Sequence, residues 1–230
     1  MDSPVFPTGA HQPDDAALFG GEAVALLPEH ALWWPAGDTL FVADVHLGKA
    51  ATFRARGLPV PAGTTQDNLE RLSQLLARHG PKRLVVLGDF LHAAEASTPA
   101  VLDALRRWRD RWTDLGMVLV RGNHDSHAGD PPASLGIRVV DEPFLLGPFA
   151  CCHHPQLHAT HHVLAGHVHP AVRLRGAARD VLRLPCFSAE PGLVVLPAFG
   201  AFTGSHTLPP APGRTRYAIG GGRVWPVPPR

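Results

Sequence analysis

Residues 84–89 read Leu84-Val-Val-Leu-Gly-Asp89, four apolar residues stopped by a glycine and a carboxylate. A short apolar run bounded by turn residues is the pattern of a strand buried on both faces, as in parallel sheets covered by helices. The pattern recurs to either side. Toward the N-terminus, Leu40–Ala43 runs into Asp44-Val-His46, and toward the C-terminus, Val118–Val120 runs through Arg121 into Gly122-Asn-His-Asp125. Further on, Phe149–Cys152 ends in His153-His154, and Val163–Ala165 ends in Gly166-His-Val-His169. Five strands thus deliver their polar residues at one end, where ligands bind in open α/β sheets.

The apolar runs Ala23–Leu27 and Ala31–Trp34 add strands before this set. Helical spacing puts Leu69, Leu72, Leu75 and Leu76 on one face of Thr65–His79, and Val101, Leu105, Trp108, Trp112 and Leu115 on one face of Pro99–Leu115. Both tryptophans read as core. Beyond Pro170, the runs Val172–Leu174, Val181–Leu184, Leu193–Leu196 and Tyr217–Ile219 read as strands between Gly and Pro turns, an antiparallel second half. The expected architecture is a layered α/β sandwich. At 230 residues the chain is expected to be a single domain over 1–230, with a mobile N-terminal segment of about residues 1–20.

Composition excludes several classes. With 45% apolar and 18% charged residues, and 23 Gly plus 24 Pro making about a fifth of the chain, this is a folded, loop-rich protein. The first twenty residues hold no Lys, no Arg and no long apolar core, so no secretory leader is expected and the cytoplasm is the default compartment. The charge-free stretches Pro143–Val172 and Pro191–Gly213 carry seven His and five Pro respectively, which unfits either for a membrane helix. Three cysteines without a CxxC pair give neither a disulfide framework nor a thiolate zinc site. Net charge is +1, but residues 49–111 hold eleven bases against six acids and residues 170–230 hold eight against two, which suits a basic face for an anionic polymer.

Buried Asp and His without a charged partner are expensive, so converging strand ends of this composition call for cations. Two divalent ions about 4 Å apart repel by roughly 16 kcal/mol at an effective dielectric of 20, and a bridging carboxylate is needed between them. Asp89, alone after the central strand, is the natural bridge. Oxygen and imidazole donors without thiolate suit manganese, iron or zinc, and the carboxylate and amide share tilts the expectation to Mn2+.

The ordered set DxH, GD, GNHD, HH and GHxH over residues 40–170 resembles the signature of the calcineurin-like metallophosphoesterases. The resemblance implies a sandwich of two mixed β-sheets flanked by helices, and a binuclear metal site. Carried over by motif, Asp44, His46, Asp89 and His169 would hold one metal, and Asp89, Asn123, His153 and His167 the other. His153 is preferred to His154 because it follows the strand directly and opens a His-x-Pro sequence. His124 would protonate the leaving oxygen, with Asp125 orienting its ring.

A narrower resemblance rests on residues 27–63 together with Leu84–Ala93 and Cys151–Gln156. These stretches are similar to the bacterial DNA-ligase-associated metallophosphoesterases, regarded as manganese-dependent DNA nucleases and encoded beside a ligase and a helicase. The resemblance implies a single-strand DNA endonuclease of DNA repair. Lys49, Arg54 and Arg56, after the first ligands, are candidates for holding flanking phosphates, and His92 for facing the substrate. The same site would also serve a phosphomonoesterase or a cyclic-nucleotide phosphodiesterase. A non-catalytic metal-binding scaffold is disfavoured by the intact ligand set.

Overall fold

The computed structural model describes residues 16–55, 57, 63–92, 98–175, 180–201 and 203–228. One sheet contains, in spatial order, β1 (Ala16–Phe19), β2 (Glu22–Leu27), β3 (Ala31–Trp34), β4 (Thr39–Val42), β5 (Arg83–Leu87), β6 (Gly116–Val120) and β7 (Ile137–Val140). The first four strands form an antiparallel meander, and β4 to β7 run parallel. Parallel neighbours need crossovers. These pass through α1 (Lys49–Ala55), α2 (Thr64–His79), α3 (Pro99–Arg111) and the short α4 (Asn123–Ala128).

Both faces of the central strands are covered. Leu40, Val42, Leu84, Val86 and Leu119 pack under Leu69, Leu72 and Leu76 of α2 and Leu105 and Trp108 of α3. Their alternates, Phe41, Val85, Leu87, Val118 and Val120, face the other sheet. This two-sided burial is why the strands read as unbroken apolar runs. Trp108 is fully buried and its indole donates to Ser73 Oγ, a core role.

The other sheet contains β8 (Phe144–Leu146), β9 (Phe149–Cys151), β10 (His162–Ala165), β11 (Pro170–Arg175), β12 (Val181–Glu190), β13 (Leu193–Val195) and β14 (His206–Thr207), with β15 (Thr215–Gly220) and β16 (Arg223–Val227) branching from β12. The runs beyond Pro170 pair antiparallel, as expected: β11 with β12, and β12 with both β13 and β15. The sheet is mixed because β13, antiparallel to β12, lies parallel to β10, which is itself parallel to β9, and because β14 runs parallel to β11. The result is a sandwich of two mixed sheets with few helices. Helices α2 and α3 cover the first sheet, whereas the apolar clusters on the outer face of the second contain no helical residue.

Two boundaries differ from the sequence reading. Residues 16–19, expected within a free N-terminal segment, pair with β2 because Phe19 buries against the inter-sheet core; residues 1–15 lie outside the described residues. Helix α3 stops at Arg111, not Leu115: Arg109 donates to the carbonyls of Trp112, Leu115 and Leu135, which satisfies the helix end and turns the chain.

Candidate metal centre

The carboxyl ends of β4, β5, β6, β9 and β10 meet where the two sheets face each other. Their loops are stitched by main-chain bonds: Asp44 N donates to Gly88 O, His46 N to Asp89 O, and Gly166 N to His153 O. The loop after β13 joins them through Phe199 N to Ala43 O and Gly200 N to Asp44 O. Asp44, His46, Asp89, His167 and His169 all have positive φ, between 49 and 69°. Left-handed backbone at a residue with a side chain stores about 1–3 kcal/mol and persists where the surroundings impose it. Here it turns each side chain off its strand axis and inward.

Two glycines make this convergence possible. A Cβ at Gly88 would lie 2.1 Å from His153 Nδ1, and one at Gly122 would lie 2.3 Å from Asp89 Oδ1. The glycines before the motif residues are therefore required by close approach.

The side chains form two facing clusters. In one, His169 Nε2 lies 3.4 Å from His46 Nε2 and 3.5 Å from Asp44 Oδ1. In the other, His153 Nε2 lies 2.9 Å from Asn123 Oδ1, 3.1 Å from His167 Nδ1 and 3.5 Å from Asp89 Oδ1. Asp89 stands between them, its Oδ2 turned to His46 Nε2 at 3.8 Å.

The donor set fits a pair of cations. His153 Nδ1 is 3.1 Å from Leu87 O and His169 Nδ1 is 2.9 Å from Gly204 O. Each ring thereby commits its N–H to a carbonyl and turns Nε2 toward acceptor atoms, the usual support of a metal-ligating imidazole. Acceptors facing acceptors are stable only with positive charge between them. Asp44 Oδ1 is buried and has no hydrogen-bond partner, which marks one such place. Burial pushes His46 down to about 2, with Lys49 and the neighbouring histidines adding to the effect, so its imidazole is neutral and ready to bind. Burial also lowers His153, and it raises Asp89, where the Asp44 carboxylate adds to the shift.

The adjacent histidines are not equivalent. His153 is fully buried, whereas the side chain of His154 is 46% exposed and its Nδ1 bonds Glu142 Oε1 at 2.7 Å. Glu142 escaped the sequence reading, since it belongs to no motif. Its Oε2 accepts from the backbone N–H of both His153, at 2.6 Å, and His154, at 2.9 Å. Outer partners of this kind are typically worth about 10- to 100-fold in metal affinity. Glu142→Gln is accordingly expected to weaken Mn2+ binding at the His153 cluster by that factor while the Asp44 cluster keeps its affinity, as read by calorimetric titration. Two unchanged affinities would remove Glu142 from metal placement.

His124 stands at the mouth, 40% exposed, with Nδ1 2.8 Å from His92 O and Nε2 4.0 Å from Asp89 Oδ2. The expected partnership of Asp125 with this ring is corrected by the structure. Asp125 turns away: Oδ1 accepts from Phe90 N and Leu91 N, and Oδ2 from Gly122 N. Being the next residue on a helical turn, it points off in another direction and clamps the loop that carries Asp89. Burial pushes its carboxyl up to about 6 against those three donors.

The residues suggested for substrate contact fall differently. His92 stacks on His124 with ring centroids 5.1 Å apart and sets its Nδ1 3.3 Å from His46 Nδ1, so it supports both rings from behind. Lys49, at the start of α1, faces the centre: burial lowers its ammonium, and Asp89 and Asp44 are the charges that pull it back up. Arg56 and the side chain of Arg54 lie outside the described residues.

Paired clusters of Asp, His and Asn around a shared carboxylate, at the strand ends of a two-sheet sandwich, define a metal-dependent hydrolase of phosphate esters. The chain belongs to the calcineurin-like phosphoesterase family, whose sequence pattern matches residues 38–163. That family works with a divalent metal pair, and the two clusters hold the candidate ligands. In fold it is similar to the crystal structure of the Pseudomonas putida nuclease MPE, at 50% identity and a TM-score of 0.83 over 93% of this chain and 99% of that one. Yfce, a phosphoesterase from E. coli, aligns at 17% identity and a TM-score of 0.41 over 84% of this chain and 99% of its own. Among curated protein sequences none matches the chain. No described helix is long and apolar enough to cross a membrane.

Proposed function

We propose that this phosphoesterase is a manganese-dependent single-strand DNA endonuclease of DNA repair. The observation that carries the two-metal reading is Asp89, whose two oxygens face the two clusters separately. Asp44, His46, Asp89 and His169 hold one ion, and Asp89, Asn123, His153 and His167 the other. The donor set holds no thiolate, and its carboxylate and amide share supports Mn2+ over zinc or iron. Nucleic acid as the substrate is supported by the likeness to the P. putida nuclease. When bound, the metal pair offsets charge on the phosphoryl oxygens and acidifies the attacking water.

The protein's own groups do the rest. His124, its Nδ1 fixed by His92 O, presents Nε2 over the centre and gives a proton to the leaving oxygen. Asp125 is a positioning residue for the Asp89 loop. Lys49 holds a phosphate beside the scissile one, and Arg54 and Arg56 extend that contact. The same reading treats residues 1–230 as one cytoplasmic domain acting with a DNA ligase and a helicase, and it rests there on the family resemblance of residues 27–63.

Incubation of the purified protein with manganese and circular single-stranded DNA tests the reading. Linear product is expected, since circles have no ends for an exonuclease or a phosphatase. Intact circles alongside rapid hydrolysis of bis-p-nitrophenyl phosphate would assign the site to small phosphate esters.

A further inference from the structure

The hairpin β11–β12 begins at Pro170, directly after His169. Strand alternation and pairing place Arg173 and Arg175 on one face of β11 and Arg183 on the same face of β12, with Arg173 directly opposite Arg183. Farther along β12 this face carries Phe187, which is in the core between the two sheets. It is therefore the face turned to the side of the metal centre. The reverse face carries Val172, Leu174, Leu184 and Cys186 in an apolar cluster of its own.

All three arginines are exposed. Arg183 Nη2 donates to Ser205 O, and the next carbonyl back, Gly204 O, holds the ring of His169. The near end of the arginine row is thus one peptide from a metal-site histidine. Like charges directly opposite each other destabilise a ladder. Among the described residues neither Arg173 nor Arg175 forms an ion pair, Asp180 beside Val181 forms none either, and Glu190, at the far end of β12, is committed to Arg214. No ion pair among the described residues offsets the repulsion, and an external anion would.

We propose that Arg173, Arg175 and Arg183 form a track for the phosphodiester backbone of a single-stranded nucleic acid whose scissile phosphate lies at the metal centre. This inference rests on the nuclease reading above. Arg173 and Arg175 are two residues apart, about 7 Å along the strand, so each meets its own stretch of backbone. Their planar forks suit phosphate oxygens, and the row leads away from His169 along the hairpin.

The test is the salt dependence of binding, read by fluorescence anisotropy of a labelled thymidine oligonucleotide with chelator present so that nothing is cut. Each phosphate contact on a single strand contributes a slope of about 0.7 in log Kd against log salt. The double variant Arg173→Thr, Arg175→Thr keeps strand-forming residues. It is expected to lose about 1.4 from the slope of the parent, and Arg173→Lys, Arg175→Lys is expected to retain most of it. A Thr variant with the parental slope, or a Lys variant as impaired as the Thr one, overturns the track. Should circular dichroism show the double variant unfolded, Arg175→Thr alone gives the same reading with a loss of about 0.7. A parent that neither binds the oligonucleotide nor cuts circles, yet hydrolyses bis-p-nitrophenyl phosphate, fails the nuclease reading and the track together. A parent that cuts circles while the Thr variant keeps its slope fails the track alone.

Discussion

Replacement of Asp89 by Asn is expected to reduce hydrolysis of every phosphate ester by at least about a thousandfold, equivalent to roughly 4 kcal/mol of transition-state stabilisation. The reason lies in how the carboxylate is shared. Oδ1 faces His153 Nε2 at 3.5 Å and accepts the His124 N–H at 2.9 Å, while Oδ2 faces His46 Nε2 at 3.8 Å. An amide keeps the shape and the bond to His124 N, so the fold should persist. It offers one neutral oxygen and one N–H, so one cluster meets a donor where it needs a lone pair, and the negative charge that holds two cations together is gone. Metal analysis should show fewer than two Mn2+ per chain, with the circular dichroism spectrum unchanged. Activity within tenfold of the parent at full metal content would end the two-metal assignment.

His124→Ala should separate two substrates. A deoxyribose alkoxide is a strong base and needs a proton as it leaves, help worth roughly 10²- to 10⁴-fold, whereas a nitrophenolate departs readily without it. His124 is built for that step, with one nitrogen held by His92 O and the other at the mouth, 4.0 Å from Asp89 Oδ2. DNA cleavage should therefore collapse by that factor while bis-p-nitrophenyl phosphate turnover largely survives and both metals remain bound. Equal losses on both substrates at full metal content would make His124 a stabiliser of phosphate charge. Loss of a metal would make it a ligand.

The five strand ends were legible because each couples two local signals, an apolar run with the period of a two-sided buried strand and a polar residue type suited to a cation. Leu84–Leu87 before Asp89 shows both within six residues. Helices α2 and α3 were equally plain, since Leu69, Leu72 and Leu76 already mark the buried face. What was not legible depends on groups distant in sequence. Glu142 acts on His153 from eleven residues away, through main-chain N–H groups that carry no side-chain pattern. His92 orients His124 through a backbone carbonyl, which any residue would supply. Asp125 sits beside His124 in sequence, but a helical turn sends neighbours in different directions, and three backbone donors claim its carboxylate.

The sequence by itself therefore determined the layered α/β class, the order of the motif-bearing strands and the residue types gathered at their ends. Periodicity and side-chain chemistry are properties of short segments and survive without a fold. Only the tertiary structure decided that β9, β10 and β13 run parallel, that His153 is buried while His154 turns to Glu142, and that Arg173 stands across from Arg183 on the face toward the centre. Strand direction, the hand of the backbone at a strand end and the register of a hairpin are fixed by pairing with segments far along the chain. A one-residue change in any of them would turn the same side chains to the opposite face.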